Sequence, residues 1–229
     1  MSIIEIKNLS KVYDGSQIEV RAVDDINLSF EKGEFTAIVG PSGSGKTTFL
    51  NLLGGLDHPT LGEVLVNGVS IGKLSPGKLI DFRLNHIGFD FQAYNLIPVL
   101  TVEENIEFIM ELQGRPQKEI KERTGELLKA VGLSDRMKSR PAKLSGGQQQ
   151  RVAVARALAS KPTFVLADEP TANLDSKSAD NLLEIMEKLN KEENITFLFS
   201  THDPRVVRKA RRIITLEDGK VLMDETIKK

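Results

Sequence analysis

The run Gly40-Pro41-Ser42-Gly43-Ser44-Gly45-Lys46-Thr47 fits the pattern G-x-x-x-x-G-K-[ST], and its chemistry is a grip on nucleotide phosphates. Glycines let the backbone pass close to an anion, so that N–H groups and a helix start face it. Lys46 supplies a cation for the β- and γ-phosphates and Thr47 a hydroxyl for Mg²⁺. Asp168 and Glu169 form an acid pair with divided work. The first can hold Mg²⁺, usually through water, and the second can orient or deprotonate an attacking water. Leu144-Ser145-Gly146-Gly147-Gln148 precedes an Ala-rich stretch from Gln149 to Ala159. Ser145 suits a helix N-cap, and the glycines leave backbone N–H groups open to an anion. By itself that run reads equally well as a capped helix and nothing more.

These residues need elements to hold them. Three apolar runs have strand length: Phe35 to Val39, Phe164 to Ala167 and Ile195 to Phe199. Without polar alternation they suit strands covered on both faces, as in a parallel α/β sheet. Each ends in glycine or polar residues: Gly40, then Asp168-Glu169, then Ser200-Thr201-His202. Ligands of open α/β sheets bind outside the carboxyl ends of the strands, so the three ends predict one reactive edge. Thr48-Phe49-Leu50-Asn51-Leu52-Leu53 predicts a helix after the glycine-rich loop, the strand–loop–helix context that the motif requires. Asp-Glu alone would read as two solvated acids; at the end of an apolar strand it becomes part of the site.

Ile4 to Ile6, Val20 to Phe30 and Glu63 to Asn67 alternate apolar and polar residues and predict half-exposed antiparallel strands. From about 93 to 160 the period turns helical. Val102, Ile106, Ile109 and Met110 share one stripe, and Ile120, Leu127, Leu128 and Val131 another, both read as core packing. Thr226 to Lys229 is expected to be a frayed end.

Composition bounds the answer. The chain has 229 residues, enough for one large domain carrying a subdomain. A net charge of −1 gives no reason to expect nucleic acid. No cysteine is present, which excludes disulfides and thiolate metal sites. Met1 to Asn8 lacks a signal-peptide pattern, and no run of about 18 apolar residues occurs. A spanning part, if one is needed, is expected on another chain.

Taken in order, the motifs resemble those of the ABC-transporter ATPase family over essentially the whole chain. Gly40 to Thr47, continuing into Thr48, is similar to its Walker A loop, and Phe164 to Glu169 to its Walker B strand and catalytic glutamate. Leu144 to Gln148 resembles the family signature, Gln92 the Q-loop glutamine, Asn173-Leu174-Asp175 the D-loop and His202 the switch histidine. Tyr13 is placed like the aromatic residue that stacks on adenine, although it could also be a strand residue facing the sheet. The resemblance implies a P-loop NTPase fold of α/β class, with a RecA-like parallel core, an N-terminal antiparallel β subdomain and an inserted helical subdomain. The whole chain would be one such domain, its core in 1–92 and 161–229 and its helical part in 93–160. It implies ATP and Mg²⁺ as ligands, with Thr47, Gln92 and Asp168 around the metal, and Lys46, Glu169 and His202 at the reacting phosphate. It further implies an ATP-sandwich homodimer in which the signature of one copy, with Asp175 nearby, covers nucleotide on the other. Docked on a membrane permease, the pair would sit peripherally at the cytoplasmic face.

A narrower likeness runs from Gly88 through Pro98 and on to Asn105. It resembles the branch of LolD, the ATPase domain of MacB and antimicrobial-peptide exporters, and implies a permease of MacB or LolC-E architecture. Asp90 departs from that pattern, where an aliphatic residue is expected. Other classes fit less well. An ATPase resembling FtsE would transmit a signal without cargo. A translation-associated protein normally carries two cassettes, and a chromosome ATPase carries a long coiled coil or zinc cysteines. His58 reads as a turn residue and His86 as serving local structure, with no metal-ligand spacing. The cations from Arg205 to Arg212 read as a solvated helix face rather than a nucleic-acid site.

Overall fold

A computed structural model describes residues 2–14 and 19–227. The chain opens with β1 (Ser2–Asp14), β2 (Glu19–Glu31) and β3 (Phe35–Val39), then α1 (Lys46–Leu53), β4 (Leu61–Val66) and β5 (Val69–Ser70). Next come α2 (Pro76–His86), β6 (Ile87–Asp90), α3 (Val102–Leu112), α4 (Gln117–Ala130) and α5 (Gly146–Ala159). The last third holds β7 (Phe164–Asp168), α6 (Ser176–Glu193), β8 (Thr196–Ser200), α7 (Pro204–Lys209), β9 (Arg212–Glu217) and β10 (Lys220–Thr226).

Among the described residues, one sheet has the order β10-β9-β3-β8-β7-β6 and a second the order β2-β1-β4-β5. Strands β9, β3, β8, β7 and β6 run parallel, and β10 returns antiparallel on the edge. The second sheet is antiparallel throughout. The apolar runs thus become central strands, each buried on both faces. Phe35, Ala37, Phe197 and Phe199 point into a cluster shared with α3 to α6, while Ile38, Leu166 and Leu198 point into a cluster shared with α1 and the antiparallel sheet. Phe35 and Phe199 pack with ring centroids 4.6 Å apart. Each buried Phe, Leu or Ile side chain here contributes about 1.5–3 kcal/mol through burial.

In β1 the alternation also emerges as read: Ile4 and Ile6 are buried while Glu5 and Lys7 face water. Helix α3 starts at a capping box in which Glu104 N donates to Thr101 Oγ1, and Thr101 N to the Glu104 carboxylate. It buries Val102, Ile106 and Met110, and α4 buries Ile120, Leu127 and Leu128. Apart from Ile109, which is only half-buried, both stripes join the cluster under β3, β7 and β8, so residues 93–160 share their core with the parallel sheet. The tail differs from the expectation of fraying at positions 226 and 227. Thr226 pairs with Arg212 in the β9–β10 hairpin, and Ile227 N donates to Arg211 O at 2.8 Å. Lys228 and Lys229 lie outside the described residues.

Candidate functional site

The loop between β3 and α1 is shaped by two close backbone approaches. A Cβ on Gly40 would lie 2.1 Å from Leu216 O, and one on Gly45, whose φ is 97°, would lie 2.1 Å from Ala22 O. Only glycine fits at either position. Lys46 begins α1 and folds back over the loop, its Nζ donating to Gly40 O at 2.9 Å and Pro41 O at 2.8 Å. A cation that caps its own loop in this way is held where an anion would exchange for the two carbonyls. Thr47 Oγ1 lies 3.1 Å from Asp168 Oδ2, which joins the start of α1 to the end of β7.

Parallel pairing of β7 with β8 sets Asp168 beside Ser200. The next residues on the two strands therefore emerge side by side. Glu169, with φ of 49°, donates its N–H to Ser200 O at 2.8 Å. His202 Nδ1 is 2.7 Å from Glu169 Oε1, and Thr201 Oγ1 donates to Glu169 Oε2 at 3.3 Å. Glu169 is thereby held by both of its oxygens and lines a cleft. Behind it, the buried Asp203 accepts from Thr171 Oγ1 at 2.6 Å and from the Arg205 guanidinium at 2.7 Å. Burial alone would push the Asp203 carboxyl up, but the hydrogen bonds from Arg205 and Thr171 outweigh it and hold the group at about 2.

The cleft has a volume of about 850 Å³. It is lined by Gly40 to Gly43 and Gly45 to Thr48, by Gln92, Glu169, Ser200 and His202, and by Val20 to Ala22 with Asp218. Ser44 is buried beneath the loop. Thr47, Gln92 and Asp168 offer oxygen donors, the hard ligands that suit Mg²⁺. No group of three or more His, Asp or Glu able to hold a metal occurs among the described residues. A Mg²⁺ ion with so few protein ligands takes the rest of its shell from water and substrate phosphate.

Other expected site residues lie elsewhere. Ser145 caps α5, accepting from Gln148 N at 3.3 Å while Ser145 N donates to Gln148 Oε1 at 2.9 Å. Asp175 caps α6, accepting from Ser178 N at 3.0 Å. A Cβ on Gly147 would come 2.9 Å from Ser178 Oγ, so the two helix starts adjoin. Neither lines the cleft. Asn173 links this second group to the first by donating Nδ2–H to Gln92 O at 3.0 Å. Tyr13 stands outside the cleft lining as well: its hydroxyl donates to Asp57 Oδ2 at 2.7 Å, and Lys11 Nζ lies 4.8 Å from its ring centroid.

Sequence reasoning missed the support given to Glu169 by Thr201 and the tie between Thr171 and Asp203. Asp203-Pro204 was a usable signal, since an N-cap acid before Pro marks a helix start. Asp90 is buried and bound to Gln150 of α5, Nε2 to Oδ1, at 2.8 Å. Burial pushes its carboxyl up to about 7, against the opposing charge of Arg156 and the Gln150 hydrogen bond. A second, mostly apolar groove of about 470 Å³ lies between α2, β6, α3 and α5, with Phe89, Phe91, Ile97 and Phe108 in its walls. No helix among the described residues is long and apolar enough to cross a membrane.

Known proteins resemble the chain over most of its length. The family model described as "ABC transporter" matches residues 23–172. The lipoprotein-releasing system ATP-binding protein LolD 1 of Rhodopseudomonas palustris is 44% identical over 221 residues, covering 96% of this chain and 98% of that protein. The macrolide export ATP-binding/permease protein MacB of Hyphomonas neptunium is 44% identical over 222 residues, covering 97% of this chain but 34% of that longer protein. The dimeric ATP-binding cassette MJ0796 of Methanocaldococcus jannaschii, bound to ADP and Pi, superposes with a TM-score of 0.90 at 42% identity, covering 99% of each chain.

Proposed function

The chain belongs to the ABC transporter family as an ATP-binding, ATP-hydrolysing cassette, and we propose that two copies of it drive a separate membrane permease of the export or lipoprotein-release kind. The observation that carries this reading is the separation of two anion-ready helix starts on one chain. The start of α1 faces the cleft, while the start of α5 with Ser145 to Gln148 lies apart from it, beside Asp175. A second copy supplies what each cleft lacks. Its Ser145 to Gln148 would cover the nucleotide held here by Gly40 to Thr48. That the MJ0796 cassette is dimeric with ADP and Pi bound supports the pairing of two copies.

Within each site, Lys46 would leave Gly40 O and Pro41 O for the β- and γ-phosphates, and Tyr13 would stack on adenine. Mg²⁺, held through Thr47, Gln92 and Asp168, would neutralise phosphate charge. Glu169 would orient and polarise the attacking water. His202, bonded to Glu169, would steady both that carboxylate and the γ-phosphate. Positioning and electrostatics carry most of phosphoryl-transfer catalysis, and the two contacts on Glu169 are positioning of that kind. The groove beside Phe89 and Phe108 would take a short cytoplasmic helix of the permease, so that residues 93–160 would dock together with α2 and β6, and the protein would sit peripherally at the cytoplasmic face.

Export or lipoprotein release is favoured by the likeness to LolD and MacB. Co-purification of the membrane partner tests it. A permease with few spans and a large extracytoplasmic domain is the expected result, and a partner with no cargo cavity would shift the reading to FtsE-like signalling.

A further inference from the structure

Asp90 closes β6 two residues before Gln92 and is 1% exposed. Its register neighbour on β7 is Ala167, one residue short of Asp168. A carboxyl removed from water at such a place requires hydrogen-bond partners. The partner is Gln150, also 1% exposed, whose Nε2 donates to Asp90 Oδ1 at 2.8 Å and Oδ2 at 2.9 Å. Gln150 Oε1, equally buried, has no partner. Two apolar side chains would fill this space without leaving a polar atom unmatched. An incompletely satisfied buried pair calls for an explanation other than stability.

The pair sits where two parts of the proposed machine join. Gln150 lies on α5 four and three positions after Gly146 and Gly147, and so on the same helix face. Asp90 leads directly into the segment that carries Gln92 to the cleft. A second tie lies further along: Arg156 of α5 donates to Tyr94 O at 2.8 Å and to Asn95 O at 2.5 Å. A third is the bond from Asn173 to Gln92 O. Apolar packing lets a helix slide, whereas a directional hydrogen bond in a low-dielectric interior fixes its angle and rise.

We propose that Asp90 is a positioning residue which, through Gln150, holds the start of α5 in register with the Gln92 segment, so that the half-site offered to a second copy and the half-site of this chain's own cleft are set together. The inference rests on the dimer reading given under Proposed function and adds to it a residue-level link between the two half-sites. Asp90 touches no substrate in this arrangement. Its loss should therefore leave nucleotide binding by a single copy intact and impair the step that needs both halves aligned.

The test is steady-state ATP hydrolysis by the full chain, with nucleotide affinity measured alongside, for Asp90→Val, Gln150→Leu, their double variant and Asp90→Asn. Either single loss should lower kcat about tenfold and move KM less than about twofold. The double variant should lose about as much as either single one, because both break one link. Asp90→Asn, which can accept from Nε2 and donate to Oε1 of Gln150, should recover to within about threefold of wild type. Should Asp90→Val not fold, Gln150→Leu decides the same question. The inference fails if the single variants turn over like wild type, if their losses multiply in the double variant, or if Asp90→Asn is as damaged as Asp90→Val. A wild-type chain that neither hydrolyses ATP nor pairs would instead sink the motor reading itself.

Discussion

His202 Nδ1 and Glu169 Oε1 are 2.7 Å apart although 33 residues separate them in the chain. Neighbouring parallel strands β7 and β8 end level with one another, and the two side chains leave those ends toward the same cleft. Replacing Glu169 with Gln should keep ATP affinity within about threefold while lowering turnover by about 10²-fold or more. The trapped nucleotide should accumulate a dimer visible by size exclusion. His202→Ala should also lower turnover by about 10²-fold with binding retained. Normal hydrolysis in either variant would remove that residue from the proposed mechanism.

Gly45→Ala tests the shape of the phosphate loop. The new Cβ would meet Ala22 O at 2.1 Å in a backbone with φ of 97°. Left-handed strain alone costs about 1–3 kcal/mol, and the clash forces the loop away from β2. The thermal midpoint should fall by several degrees and nucleotide binding should disappear. A variant that binds ATP normally would show that the loop tolerates opening.

Asp203 should make the protein acid-sensitive. Burial raises its carboxyl, but the Arg205 and Thr171 bonds overcome that effect, and the folded group sits at about 2 against 3.8 for a free one. A depressed folded value means stability that is complete above about pH 4 and is lost as pH falls toward 2. Asp203→Asn should cost about 1–3 kcal/mol at pH 7, and its deficit should shrink on acidification. Urea midpoints at pH 7 and pH 3 measure the difference; a constant deficit would refute the ion-pair explanation.

Asp90 carries the opposite sign. Burial lifts its folded carboxyl to about 7, so the folded state holds a proton that the unfolded state has released. Stability linked to Asp90 should therefore fall as pH rises from about 4 to 7 and level off above that. Asp90→Asn removes this slope. Nucleotide-free unfolding at pH 5 and pH 8 should show the variant gaining on wild type at the higher value, and equal shifts at both would contradict it.

Much of the site was legible before folding. The pattern from Gly40 to Thr47 followed an apolar strand and preceded a helix, and local chemistry alone demands that arrangement for a phosphate loop. Asp168-Glu169 and Ser200-Thr201-His202 could be assigned to one edge because their strands lacked polar alternation and so had to be central and parallel. Ser145 could be read as an N-cap from its type and the residues behind it. Asp90 was recognisable only as an oddity, since its partner Gln150 is 60 residues away. Thr226 looked like part of a loose end because cross-strand pairing with Arg212 leaves no local mark.

Local residue chemistry already says what each segment can do: bind phosphate, end a buried strand in acids, or start a helix with free N–H groups. These are properties of residue type and short spacing, set by backbone sterics and hydrogen-bond capacity over a few positions. Which of those capacities share a cleft depends on the folded chain as a whole. The order β3-β8-β7-β6, with α1 and α5 packed on the sheet, brings Thr47 to Asp168, His202 to Glu169 and Asp90 to Gln150, and it sets Ser145 to Gln148 apart from Lys46. That choice belongs to the packing of whole strands and helices, because burial of apolar faces is non-directional and fixes neighbours only when the entire core closes.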